Sequence, residues 1–183
     1  MKYIIFFLLI ILTNSCVSYI DLPKNSISND NMIFDYGSKE NKFKYINKVN
    51  ASADNDIYYT THFSIDLPKG IVNWKISNNN FFFEYGDRQI FYIYSSYKND
   101  GEESVNWKLE EIEYNEIVKY IGEYWDERRY NENYLYKSHN GRISKIYTNG
   151  KYKIVLYNVK IKSYPMFIQM AKTFDVNMGK KSN

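Results

Sequence analysis

The chain has 183 residues, of which 44% are hydrophobic and 25% charged, and its formal net charge is +3. These values predict one folded domain and exclude the disordered class, which combines low hydrophobicity with high net charge. A charge this small gives no basic stripe of the kind that nucleic-acid binding requires. We therefore expect no nucleic acid among the partners.

The first 15 residues have the features of a bacterial secretory signal. Lys2 supplies a positive charge, and residues 4–12 (IIFFLLIIL) form an unbroken apolar run. A helix that crosses a bilayer needs about 20 apolar residues, so this run is too short to span one. The run ends in LTNSC, in which Ser15 precedes Cys16, the only cysteine of the chain.

The segment LTNSC resembles a lipobox, the signal peptidase II site of bacterial lipoproteins, which implies cleavage between Ser15 and Cys16. Thr13 stands where the pattern usually has Leu, a departure similar to lipoboxes of Bacteroidetes. The resemblance implies a palmitate-type acyl anchor on Cys16 that inserts into the lipid bilayer. An internal disulfide needs a second cysteine and cannot account for Cys16. Two alternatives stay open: an uncleaved anchor running on through Val17 and Ile20, and an ordinary signal with an incidental cysteine.

Residues 16–56 are polar and interrupted, with Pro23 and with Ser, Asn and Asp clusters at 25–31 and 50–56. This composition predicts a lipidated tether and a poorly patterned lead-in, with one strand near residues 43–49. We expect residues 57–178 to form a single domain and residues 179–183 to be a disordered basic tail.

Alternation of apolar and polar residues within the predicted domain indicates strands, and its 19% aromatic content favours them as well. A change to helical periodicity at Ile117–Trp125 predicts an amphipathic helix with Asn115 as its N-cap. Pro165 opens a second, short helix. The strands are expected at residues 57–67, 72–76, 81–85, 88–95, 105–112, 142–148 and 151–162.

The last predicted strand, residues 151–162, is apolar on both faces, which is typical of a central strand. Strict alternation would place Leu156 and Val159 on opposite faces of it. The order of elements predicts an α+β fold, mainly an antiparallel β-sheet packed against two or three helices.

Two segments resemble PsbP/Mog1-like domains. FSIDLPKG at residues 63–70, followed by Trp74, resembles their entry motif, and FIQMAKTF at residues 167–174, after a long strand containing Asn158, resembles their closing helix. Residues 71–73 depart from the pattern, in which Trp usually follows Gly directly. The resemblance implies a sandwich of sheet and helices, a binding or assembly role, and no shared catalytic residues.

Residue patterns that indicate a catalytic, cofactor or metal site are scarce. His62 and His139 are the only histidines, and a metal site needs several convergent ligands, so we expect both to be structural and no metal or cofactor to bind. Four carboxylates could supply an acid pair for glycoside hydrolysis, although a solvated helix start is far commoner. They are Glu110, Glu111, Glu113 and Glu116.

A hairpin over residues 81–95 would place one set of aromatic side chains on the face away from the core. We predict Phe82, Tyr92 and Tyr94 as an exposed partner surface, with a sheet covered on both sides as the alternative.

These features together indicate a membrane-anchored envelope lipoprotein that acts as a non-enzymatic binding or assembly module for an unidentified envelope protein. An immunity lipoprotein that neutralises a periplasmic toxin is the alternative. Val17 after Cys16 implies, by resemblance, the outer membrane. The acidic run that follows the cysteine in some surface-exported Bacteroidetes lipoproteins is absent here, which favours a domain facing the periplasm.

Overall fold

The computed structural model describes residues 18–47, 60–95, 106–137 and 139–176. The predicted signal segment with Ser15 and Cys16, and the predicted basic tail, lie outside the described residues. Within the described ranges the fold is α+β, with two antiparallel sheets and three α-helices. The fold class predicted from the alternation and composition is therefore confirmed.

The smaller sheet has four antiparallel strands, each paired with the next along the chain. They are β1 (Ile27–Ser28), β2 (Met32–Tyr36), β3 (Asn41–Tyr45) and β4 (Phe63–Leu67).

This sheet shows that the prediction of a tether and poorly patterned lead-in for residues 16–56 was wrong over residues 27–42. The strand expected near residues 43–49 corresponds to β3, which begins at Asn41 and ends at Tyr45. Phe34, Tyr36 and Phe43 point inward from β2 and β3 and are at most 2% exposed. Their alternation with charged residues is that of a half-buried sheet. Each of these strands is five residues or shorter, and the polar turns between them obscured the pattern.

The larger sheet has six antiparallel strands in the order β5-β6-β7-β10-β9-β8. They are β5 (Ile71–Ser77), β6 (Asn80–Tyr85), β7 (Gln89–Tyr94), β8 (Lys108–Glu111), β9 (Arg142–Thr148) and β10 (Lys153–Lys160). The strand predicted to be central, β10, lies between β7 and β9 and is buried on both faces.

The larger sheet has two ends that matter below. Its proximal end is where Ile71, Tyr85, Gln89, Arg142 and Lys160 meet, and its distal end is where the opposite termini of the strands meet. The distal termini are Ser77, Asn80, Tyr94, Lys108, Thr148 and Lys153.

The three helices are α1 (Tyr114–Glu127), α2 (Glu132–Leu135) and α3 (Tyr164–Ala171). Helix α1 begins two residues earlier than predicted, with Glu113 rather than Asn115 at its N-cap. Glu113 and Glu116 form a capping box, in which each side chain accepts a backbone N–H of the other residue, and this arrangement satisfies two helix-end donors.

The core between the two sheets is mostly aromatic. Phe63 of β4 meets Phe81 of β6 edge-on at 4.8 Å between ring centroids, and Phe43 meets Phe83 in the same manner at 5.2 Å. Edge-to-face packing of this kind is preferred by the ring quadrupoles. Phe167 of α3 closes the side of this core, and α1 covers the opposite face of the larger sheet.

Candidate functional site

The residues predicted as an exposed partner surface are largely covered by α1. Phe82 is 4% exposed and stacks on Tyr124 of α1, with ring centroids 4.8 Å apart and planes at 9°. Tyr92 is 1% exposed and packs against Tyr120, and Tyr94 is half-buried. The prediction of an exposed surface was therefore wrong for Phe82 and Tyr92, because the amphipathic helix covers the hairpin face and the sheet is covered on both sides.

The N-terminal part of the described chain is docked on the proximal end of the larger sheet. The Ile20 amide donates a hydrogen bond of 2.9 Å to the Ile71 carbonyl, extending the backbone pairing beyond β5. Asp21, which is 3% exposed, accepts hydrogen bonds from the Gly70 amide at 2.7 Å and from the Asn41 side chain at 2.9 Å. The Lys69 ammonium lies 3.3 Å from the same carboxylate.

The Asp21 carboxylate is stabilised in its charged form. Burial acts to raise its pKa, but the hydrogen bonds from Asn41 and Gly70 and the charge of Lys69 outweigh burial and lower it. Gly70 has a φ of +95°, a conformation that residues with a Cβ rarely adopt, and this lets its amide face Asp21. The docking of the N-terminal segment is thus built into the β4–β5 turn.

A cleft of about 500 Å³ lies beside this segment, at the proximal end. We call it the arginine cleft. Its lining includes Ser18, Glu84, Arg88, Tyr130, Tyr134 and Arg142, which come from the N-terminal segment, β6, the β6–β7 turn, the loop after α1, α2 and β9.

The β6–β7 turn presents Arg88 to the cleft in an uncommon backbone conformation. Asp87 and Arg88 have φ angles of +61° and +56°, and two consecutive non-glycine residues in the left-handed region need support from their surroundings. Asn158 gives that support from β10, because its side-chain amide donates hydrogen bonds of 2.9 and 3.2 Å to the Asp87 and Arg88 carbonyls.

Asn158 itself has a φ of +55° and marks a β-bulge that shifts the register of β10 between Leu156 and Val159. Both of these residues face the inter-sheet core as a result, so the placement expected from strict alternation was wrong for Val159.

The Arg88 guanidinium lies over two tyrosine rings. It is 5.3 Å from the ring centroid of Tyr130 and 4.8 Å from that of Tyr134, within the range of cation–π attraction. None of the described residues accepts a hydrogen bond from this guanidinium. Arg88 is therefore held in place by rings while its N–H donors remain available to a ligand.

Glu84 forms the floor of the cleft and is 2% exposed. It accepts hydrogen bonds from the Tyr130 hydroxyl at 2.5 Å and from the Tyr124 hydroxyl at 2.8 Å, and Arg128 Nε lies 3.2 Å away. Burial raises the pKa of Tyr130, and its hydrogen bond to Glu84 raises it further. Both carboxylate oxygens therefore have partners, and Glu84 fixes the ring of Tyr130, one of the two that hold Arg88.

Asp87 lies between two cations at the cleft rim. It forms ion pairs with Lys160 and, at 3.7 Å, with Arg142. The hydrogen bond from Lys160 lowers the pKa of Asp87 against the opposing effect of burial. Within the cleft lining, Arg88 and Arg142 balance Glu84 and Asp87. Lys160 and Arg128, which pair with Asp87 and Glu84 from outside the lining, bring this charge cluster to four cations against two carboxylates, which suits an anionic ligand.

A second cleft, of about 610 Å³, lies toward the distal end. Glu110, Glu111 and Glu116 line it together with Lys108 and Lys153. Glu116 is engaged in the capping box of α1, and Glu111 forms an ion pair with Lys145 of β9. Two of the four carboxylates considered for glycoside hydrolysis, Glu113 and Glu116, thus serve as helix caps.

The histidines lie apart from the arginine cleft's charged centre. His139 stacks on Tyr134 at 3.7 Å between ring centroids, and its Nε2 lies 3.0 Å from the Tyr134 carbonyl. His62 is half-buried, just before β4. Among the described residues, His, Cys, Asp and Glu do not gather in groups of three or more that could hold a metal ion.

Sequence patterns did not indicate the arginine cleft, because its residues come from several separate elements that meet only in the folded chain. The one local signal was the polar GDR turn between two strongly apolar strands.

In the ranges that the structure describes, every helix is too short or too polar to cross a membrane. Comparisons with protein-family models, curated protein sequences and solved structures found no match for this chain.

Proposed function

We propose that this chain is a lipid-anchored, non-enzymatic binding module of the cell envelope, and that the arginine cleft is its binding site for an anionic group. The observation that carries the proposal is the position of Ser18. It lines the cleft and lies two residues after Cys16, which resembles the acylated cysteine of a lipoprotein.

The chemistry of the cleft supports binding. Its two carboxylates, Glu84 and Asp87, already have hydrogen-bonded or ion-paired partners, whereas Arg88 has donors to offer. Arginine presents a planar fork of N–H groups that matches carboxylates and phosphates and does not lose its proton. A rigid guanidinium of this kind suits recognition of an anion better than transfer of a proton.

The sequence between residues 16 and 18 supports a domain held close to the membrane. Two residues span at most about 7 Å when fully extended. Acyl chains on Cys16 would bind the bilayer with about 0.8 kcal/mol for each buried methylene, so that two or more chains anchor the protein stably. Val17 after Cys16 supports the outer membrane as the location, and the lack of an acidic run after Cys16 supports a domain that faces the periplasm.

The anchor is tested by replacing Cys16. We expect the wild-type chain to incorporate an alkyne fatty acid and to sediment with membranes, and Cys16→Ala to do neither. Ser15→Ala is the matched control, because it keeps a small residue before the cysteine and should still be acylated. Labelling of Cys16→Ala, or absence of labelling in the wild type, would contradict the proposal.

A further inference from the structure

We propose that the arginine cleft binds the phosphate of a phospholipid headgroup in the same membrane that carries the anchor, so that the domain rests on the bilayer with its proximal end down. This inference rests on the lipid anchor proposed above and names the ligand of the cleft. It follows from the position of the tether, the unused donors of Arg88, and the exposed apolar residues around them.

The tether and the cleft lie at the same end of the molecule. Ser18 is part of the cleft wall, and the Ile20–Ile71 hydrogen bond fixes the segment that follows it against the proximal end of the larger sheet. A bilayer that holds Cys16 is therefore within about 7 Å of Ser18, since two residues reach no further. Lipid headgroups are the anions that this cleft would meet first and at the highest local concentration.

The donors of the cleft match a phosphate. Arg88 has no acceptor among the described residues, and the rings of Tyr130 and Tyr134 hold its guanidinium in place. Arginine binds phosphate oxygens through two parallel N–H bonds, and a held guanidinium loses less side-chain freedom when it does so. Arg142 and Lys160 share the single carboxylate of Asp87, which leaves positive charge at the rim to attract a second phosphate oxygen.

Exposed apolar side chains surround the proximal end. Tyr19 and Leu22, which are 49% and 45% exposed, lie in the docked N-terminal segment. Ile161 follows Lys160 at the end of β10 and is 57% exposed, and Met166 in the first turn of α3 is 41% exposed. Apolar and tyrosine side chains mixed with basic groups are typical of surfaces that enter the interfacial region of a bilayer.

The experiment uses the mature, acylated protein in vesicles of phosphatidylethanolamine and phosphatidylglycerol that contain a headgroup nitroxide lipid. Acylation occupies Cys16, so an introduced cysteine takes a fluorophore at one position. Asn133→Cys places it beside Tyr134 of the cleft, and Ser77→Cys places it at the distal end, about 20 Å away along β5. We expect strong quenching at position 133 and weak quenching at position 77.

Arg88→Gln tests the cleft itself. We expect it to reduce the quenching difference between the two positions strongly, leaving only the part that the short tether imposes, while the acyl chains keep the protein on the vesicles. Arg129→Gln, which removes the same charge from an exposed arginine outside the cleft lining, should preserve the difference. Arg88→Lys, which keeps the charge without the fork, should reduce the difference in part. Equal quenching at both positions in the wild type, or equal effects of Arg88→Gln and Arg129→Gln, would overturn the inference.

The source of the phosphate is tested in vesicles of digalactosyldiacylglycerol, which has no phosphate. The quenching difference should fall there to the level that Arg88→Gln shows, and a difference as large as in phospholipid vesicles would overturn phosphate recognition. Line broadening in phosphorus NMR measures binding of inorganic phosphate to the protein in the same phosphate-free vesicles. Tight binding there, together with equal quenching at both positions in phospholipid vesicles, would identify the free ion as the ligand and would overturn the inference.

Mass spectrometry of the N-terminal peptide on the same samples separates the two proposals. A chain without acyl groups contradicts the anchor, whereas an acylated chain with equal quenching contradicts only the headgroup site.

Discussion

The Tyr124 hydroxyl of α1 donates a hydrogen bond of 2.8 Å to Glu84 Oε2 in β6. Tyr130 donates to the other oxygen of this carboxylate, and Arg128 approaches it as well. One buried carboxylate thus joins the helix and the loop after it to the face of the larger sheet. The same contacts position the ring of Tyr130 beneath Arg88.

Replacing Glu84 should destabilise the fold according to how many acceptors are lost. Glu84→Ala removes the acceptor of two tyrosine hydroxyls and the ion-pair partner of Arg128, and we expect the free energy of unfolding to fall by about 3–5 kcal/mol. Glu84→Gln keeps one carbonyl acceptor and should cost about half as much. Urea denaturation followed by tryptophan fluorescence measures both. Glu127→Ala, which removes an exposed carboxylate paired with Lys75, is the control and should cost less than about 1 kcal/mol. Equal losses for Glu84→Ala and Glu127→Ala would contradict this account.

Phe82→Ala tests whether α1 covers the sheet. The ring is buried against Tyr124, and removing a buried phenylalanine ring typically costs about 3–5 kcal/mol through lost burial and the remaining cavity. Thermal and chemical unfolding should both show this loss. Tyr94→Ala, at a half-buried position on the same hairpin, should cost clearly less. An unchanged unfolding midpoint for Phe82→Ala would mean that this face is not packed.

Asp21→Asn should release the N-terminal segment. The substitution removes a charged acceptor from Gly70, Asn41 and Lys69, so hydrogen exchange at the amides of Ile20 and Gly70 should speed up while exchange in β10 stays slow. Because the folded-state pKa of Asp21 is lowered from its ordinary 3.8, its contribution to stability is present above that pH and is lost as the pH falls through the folded pKa. The acid transition of Asp21→Asn should therefore be shallower than that of the wild type. Identical acid transitions of the wild type and Asp21→Asn would contradict this role of Asp21.

Stability should also fall in alkaline solution. Burial raises the pKa of Tyr36 to about 12, and burial raises the pKa values of Tyr92, Tyr124 and Tyr157 further. Since the folded pKa exceeds the unfolded one, their contribution is complete below pH 10 and is lost as the pH rises toward the folded pKa. Each such tyrosine can add a slope of up to about 1.4 kcal/mol per pH unit. Absorbance at the tyrosinate band should rise together with loss of circular dichroism. Full titration of all 20 tyrosines near pH 10 with native dichroism retained would refute it.

The larger sheet was predictable because its strands carry clear local patterns. The alternation around Trp74, the GDR turn and the doubly apolar β10 each fit a strand or turn without reference to distant residues. In the smaller sheet, β4 and part of β3 were predicted, but β1 and β2 were not, because they are short and β2 packs through aromatic contacts with β6, as in the approach of Phe34 to Phe83. Such contacts join residues far apart in sequence and leave no local periodicity.

The details of the arginine cleft could not be predicted from the sequence for a related reason. The bulge at Asn158 depends on hydrogen bonds to the β6–β7 turn, about 70 residues earlier in the chain. Its effect is to turn Val159 into the core and to fix Arg88 at the surface. No property of Asn158 or Arg88 alone distinguishes this arrangement from an ordinary strand and an ordinary turn.

With the proposed acyl anchor on Cys16, the backbone pairing of Ile20 with Ile71 leaves only a very short linker between the membrane and the folded domain. Four residue steps separate Cys16 from Ile20, which amount to about 14 Å at full extension. Once acylated, such a domain would diffuse laterally. It would therefore encounter partners in the plane of the membrane rather than throughout the volume of a compartment. Any macromolecule that meets it would have to be membrane-borne itself or come down to within a domain's height of the lipid surface.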